Sequence, residues 1–153
     1  WSSMTKEVLL TIKGLQFSFG REGMEEETIE TVMAAEYFYR NGSHYIIYEE
    51  PCEDNEEITQ TRIKFRDGYL EVTKKGFVNV HMIFEEKKKN ISGYSTPFGE
   101  ILVGIEAKRV KFTEEASHIH ADVEYELEIN YEHVADCRIT IEVQAKEKST
   151  AEK

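Results

Sequence analysis

Hydrophobic and polar residues alternate along most of this chain with a period of two. In "SHIHADVEYELEINY", Ile119, Ala121, Val123, Tyr125, Leu127, Ile129 and Tyr131 fall on one parity. His118, His120, Asp122, Glu124, Glu126, Glu128 and Asn130 fall on the other. Successive side chains of a strand point to opposite faces, so this spacing predicts a long, half-buried strand. A helix would spread the same charges around its circumference. In the next segment Ala135, Cys137, Ile139, Ile141 and Val143 alternate with Asp136, Arg138, Thr140 and Glu142. A short link near Glu132-His133 then predicts an antiparallel hairpin.

Earlier segments carry the same signal. Ile101, Val103, Ile105 and Ala107 alternate within "EILVGIEAK", Val78, Val80, Met82 and Phe84 within "FVNVHMIF", and Thr59, Thr61, Ile63 and Phe65 within "ITQTRIKF". Asn41-Gly42 and Asp67-Gly68 have the composition of tight primed hairpin turns, whose central residues need positive φ. "KKGF" and "EKKKN" predict further turns. In the first strand the phase slips: Val8, Leu10 and Ile12 share one parity, and Leu15, Phe17 and Phe19 share the other. A β-bulge at Gly14 would restore the register. Residues 25–40, "EEETIETVMAAEYFYR", fit a helix or a strand by pattern, and the Asn-Gly turn that follows favours a strand.

The sum is about eight to ten strands with short links and no repeated helix–strand alternation. The expected fold is all-β, an antiparallel up-and-down barrel that removes exposed sheet edges, with a sandwich as the alternative. Residues 4–148 read as one domain and 149–153 as a C-terminal tail, with Trp1-Ser2-Ser3 ahead of Met4 reading as a tag remnant.

Three stretches carry a family resemblance: "HYIIYEE" at 44–50, "YSTPFGEI" at 94–101 and "ADVEYELEIN" at 121–130. Together they resemble the YwiB-like family of small bacterial proteins of unknown function, over essentially Thr5 to Glu147. The resemblance implies a lipocalin-like (calycin-type) barrel and a strand over 25–40. It brings no catalytic residues.

Charge narrows the partners. The formal net charge is -11, which disfavours phosphate backbones, and Lys87-Lys88-Lys89 reads as a solvated turn, so no nucleic-acid partner is expected. No apolar run reaches the length of a membrane-spanning helix, and no signal peptide is visible, so the expected setting is cytoplasmic and away from membranes.

Chemical signatures are sparse. His118 and His120 share a strand face with Asp122, a spacing that could hold zinc with a third ligand from a neighbouring strand. His133 lies nearby in sequence, but the set sits on the polar parity, and no metal is expected. Cys52 lies among acidic residues that disfavour its thiolate, and Cys137 falls on the apolar parity as a core residue. Neither a catalytic centre nor a cofactor is expected.

The apolar parity, with tyrosines at 37, 39, 125 and 131, predicts an interior almost free of ionisable groups other than phenols. Such a barrel is either a cup for a small apolar or amphipathic ligand or a filled core. The first reading makes the chain a non-enzymatic binding barrel with Tyr94, Phe98, Tyr125 and Tyr37 as candidate ligand contacts. The second makes it a protein-interaction module or homodimer whose acidic strands meet a basic surface.

Overall fold

The alternation becomes a single sheet that curls on itself. The structure is a computed structural model that describes residues 6–14, 16–20, 23–27, 30–51, 57–76, 79–96 and 99–146. Its strands are β1 (Glu7–Lys13), β2 (Gln16–Gly20), β3 (Gly23–Glu27), β4 (Glu30–Arg40), β5 (Ser43–Pro51) and β6 (Ile58–Arg66). They continue as β7 (Tyr69–Lys75), β8 (Val80–Glu85), β9 (Lys89–Thr96), β10 (Gly99–Glu115), β11 (His118–Ile129) and β12 (Glu132–Ala145). The described residues contain no helix.

Ten strands form one antiparallel sheet in the order β8-β7-β6-β5-β4-β1-β12-β11-β10-β9. Among the described residues β2 and β3, which lie between β1 and β4 in the chain, pair only with each other. The result is an up-and-down barrel that is nearly closed. β8 and β9 end the order and meet around their shared hairpin, where the Lys87 amide donates to the Ala107 carbonyl at 2.8 Å and Glu86 bridges Ala107. Toward the far end of β8 no ladder joins the two strands among the described residues. This seam positions the site below.

Even spacing of side chains along each strand fills the interior. Val8, Leu10, Ile46, Ile63, Leu70, Val123, Ile139 and Val143 are fully buried. Rings meet inside the barrel: Phe84 and Tyr125 lie edge to face at 4.9 Å between centroids, and toward the β4–β5 turn Phe65 stacks on Phe112 at 4.8 Å. Fully burying one such large apolar side chain stabilises the fold by roughly 1.5–3 kcal/mol. Cys137 is buried among them.

Several local expectations change. β1 stops at Lys13 and does not bulge: Gly14 turns with φ +92° and the chain leaves the barrel for the β2–β3 hairpin. The parity slip therefore marks an exit from the sheet, not an extra residue within it. The β11–β12 turn is Asn130-Tyr131, both at positive φ, two residues before the expected link. Tyr131 is accordingly 69% exposed, and Tyr39, at the end of β4, is 45% exposed, so neither lines the interior. Asn41-Gly42 is a turn with both residues at positive φ, whereas of Asp67-Gly68 only the glycine is. β10 runs 17 residues because a register shift at Lys108 lets it continue past an irregularity of its alternation.

Candidate functional site

Antiparallel order puts the β5–β6, β7–β8, β9–β10 and β11–β12 connections at one end of the barrel, with the β4–β5, β6–β7, β8–β9 and β10–β11 turns at the other. The first end carries polar groups on the inward parity. Thr61, fully buried on β6, donates to Glu50 Oε1 at 3.0 Å, and Lys74 Nζ donates to the same oxygen at 2.9 Å. Tyr48 lies beside them, its phenol pushed up by burial and by the Glu50 charge. At the opposite end the Tyr37 hydroxyl lies 2.7 Å from His44 Nδ1, while His44 Nε2 faces Glu114 at 3.6 Å. The His44 ring stacks on Phe65, and burial lowers its pKa against the opposing pull of Glu114 and Asp67. The interior thus departs from the expectation of phenols alone: His44, Glu50, Lys74 and Glu114 all sit on the inward parity near its two ends.

The seam between β8 and β9 holds an open groove. Its volume is about 650 Å³, and its lining includes Arg62, Glu71, Thr73, Lys74, Lys75, Asn79, Val80, His81, Ser92 and Tyr94. Tyr94 spans the seam, its hydroxyl donating to the His81 carbonyl at 2.9 Å, and burial pushes its phenol up to about 12. On the outer wall Tyr69 donates to Glu71 Oε1 at 2.8 Å, and the His81 ring pairs with Glu71 Oε2. Burial alone would raise the Glu71 carboxyl, but the hydrogen bonds from His81 and Tyr69 outweigh it and hold the group below its ordinary range. The Arg62 guanidinium lies over the Tyr45 ring, 6.0 Å from its centroid.

Charge distinguishes this groove from a second one. Two cations (Arg62 and Lys75) face one carboxylate (Glu71) at the seam, and a third, Lys74, is paired with Glu50. The second groove, of about 580 Å³, opens where β4 and β5 splay apart and is lined by Glu7, Glu36 and Glu49 with Lys146, so its balance is negative. A chain of net charge -11 therefore gathers positive charge at the seam.

The candidate ligand contacts separate in space. Tyr94 lines the seam groove. Tyr125 is 1% exposed in the mid-barrel core against Phe84, and Tyr37 is 3% exposed at the His44 end. Phe98, like Pro97 and Cys52, lies outside the described residues. Its neighbours Thr96 and Gly99 pair across the β9–β10 corner. His118 and His120 face a third potential ligand, Glu142 on β12, at 3.2 and 3.7 Å. Asp122 is taken instead by Arg138, which donates two hydrogen bonds of 2.8 Å to it. Glu126, His133 and Asp136 bring their ligand atoms within 4.8 Å of one another near the β11–β12 turn, but Lys108 already pairs with Glu126.

Sequence reasoning missed Arg62, Glu71, Lys75 and His81. Arg62, Glu71 and His81 lie on the outward parity, which reads as a solvated face. The available signal was the cation excess of "TRIKFR" and "EVTKK" within an acidic chain.

Barrel, packed interior and cationic seam together define a small all-β barrel domain. A family model matches residues 11–141, and the chain belongs to that family, described as a domain of unknown function (DUF1934). A solved structure, the ywiB protein from Bacillus subtilis, is similar in fold, with a TM-score of 0.70 and 19% identity, covering 95% of this chain and 96% of that one. This agrees with the YwiB-like resemblance of the sequence. No curated protein matches.

Proposed function

We propose that the protein is a non-enzymatic binding module whose working surface is the β8–β9 seam groove, and that it captures a ligand presenting carboxylate groups. The observation that carries this reading is the presence of Arg62 and Lys75, with Lys74 held on Glu50 beside them, in one groove of a chain with net charge -11. Asn79, Ser92, Thr73 and Tyr94 add polar groups, and Val80 with the Tyr94 ring supplies apolar wall, so an amphipathic anion fits its chemistry. The ring contacts of Phe84, Tyr125, Phe65 and Phe112 favour a filled barrel over an apolar cup.

Amide chemical-shift mapping with a panel of small carboxylates and a hydrophobic dye tests the reading. Shifts confined to Arg62, Lys75, His81, Ser92 and Tyr94, lost in R62E/K75E, are expected. Dye or fatty-acid shifts centred on Tyr125 and Phe84 would instead support the cup, and a silent groove with every carboxylate would end the proposal.

A further inference from the structure

We infer that the seam accepts an extended acidic peptide, which pairs by backbone hydrogen bonds with the free edge of β8. The inference rests on the seam groove being the binding site and names the class of ligand it takes.

Among the described residues β8 is laddered only to β7, and β9 only to β10. Their facing edges come together at the hairpin and carry no ladder near Val80 and His81. The His81 carbonyl points into the gap, since it receives the Tyr94 hydroxyl. In an antiparallel strand the N–H and C=O of one residue point the same way and alternate along the chain. Ile83 therefore presents its backbone groups to the seam as well, whereas the Glu85 carbonyl already accepts the Lys88 amide at 3.0 Å. Such an edge is a template for another strand, and barrels ordinarily abolish it. A peptide strand laid there would add to the open edge of β8, the mode by which extended peptides add to open sheets. Main-chain bonds would supply affinity, and alternate side chains would meet the groove.

Charge selects the peptide. Arg62 and Lys75 outnumber Glu71 on the outward parity of the groove, Lys74 being paired with Glu50, so acidic side chains there are favoured and basic ones repelled. Val80 and the Tyr94 ring favour apolar residues on the other parity. Tyr94 holds the acceptor that a peptide N–H needs. It acts as a removable closure, and binding must first displace its hydroxyl from the His81 carbonyl.

The test uses the intact protein and a fluorescent hexapeptide of alternating valine and glutamate, followed by anisotropy. Methylating one alternate set of peptide backbone nitrogens, the set that faces β8, is expected to weaken binding about tenfold or more, while methylating the other set is tolerated. Lysine in place of glutamate is expected to abolish binding. Tyr94→Phe frees the carbonyl and is expected to tighten binding about fivefold, the worth of one competing hydrogen bond. The inference is overturned if the two methylated peptides bind alike, or if the lysine peptide binds as well as the glutamate one. Glutarate shifting the groove amides while no peptide binds more tightly than glutarate would overturn the peptide and leave the seam site standing. Failure of both glutarate and peptide would remove the two readings together.

Discussion

The hydroxyl of Tyr94 on β9 donates to the carbonyl oxygen of His81 on β8 at 2.9 Å, across the junction where the barrel lacks a ladder. A side chain there does the work that backbone pairing does elsewhere. One hydrogen bond contributes about 0.5–1.5 kcal/mol net. Tyr94→Phe should therefore lower stability by about 1 kcal/mol, or about 2–4 °C in Tm for a domain of this size. Amide hydrogen exchange should accelerate at Met82 and Phe84, whose amides turn toward β7, but not at Ile139 in the middle of the sheet. Equal acceleration at all three sites would show that the bond does not close the seam.

The filled interior gives a second expectation. Phe84 is fully buried and its ring meets Tyr125 edge to face. Phe84→Ala removes that ring from a packed core and should cost about 3–5 kcal/mol, measured by urea unfolding. A loss below about 1 kcal/mol would mean that the middle of the barrel has room to spare, as a ligand cup would.

Gly14 and Gly42 separate backbone strain from crowding. Both have positive φ, +92° and +80°. A Cβ on Gly14 would lie 2.2 Å from the Arg138 carbonyl oxygen, whereas one on Gly42 meets nothing within 4 Å. Gly42→Ala should cost about 1–2 kcal/mol, the penalty of the left-handed conformation. Gly14→Ala must in addition push β12 aside where the chain leaves β1. It should be the more damaging of the two in thermal unfolding and should perturb the amides around Ile139.

His44 predicts a pH dependence. Burial is the largest influence on it and lowers its pKa, while Glu114 and Asp67 pull the other way. The unfolded chain therefore binds a proton at this site more readily than the folded one, and stability falls as pH drops from about 6.5 toward the lowered folded value. Above that window the group contributes no slope. His44→Gln should flatten the Tm profile below about pH 6.5 while leaving the neutral plateau's slope unchanged. An unaltered profile would place the acid sensitivity elsewhere. Glu71 acts at lower pH: its carboxyl is held below its ordinary range, so its contribution is present above the unfolded value and lost as pH falls through the folded one.

Much of the architecture was legible because a period of two cannot be satisfied by another element. Thr59, Thr61, Ile63 and Phe65 read as one face of β6, and all four are buried. The failures share a cause. Gly14, Tyr131 and Tyr39 keep the parity of their neighbours but lie at or beyond strand ends, where backbone φ or exposure, not alternation, decides where a side chain goes. The site was less legible. Arg62, Glu71 and His81 stand on three different strands, on a parity that usually faces bulk solvent, and Tyr94 comes from a fourth.

The sequence by itself determined the strands, most of the inward residues and the hairpin connections, because side-chain direction alternates locally and turn residues act within a few positions. It also determined the negative charge of the chain as a whole. Only the tertiary structure decided where the ring of strands fails to close and which charges gather there. That outcome depends on how β8 and β9, the two ends of a ten-strand order, meet after every other pair has taken its register. The seam is a property of the closed circuit, so no single segment contains it.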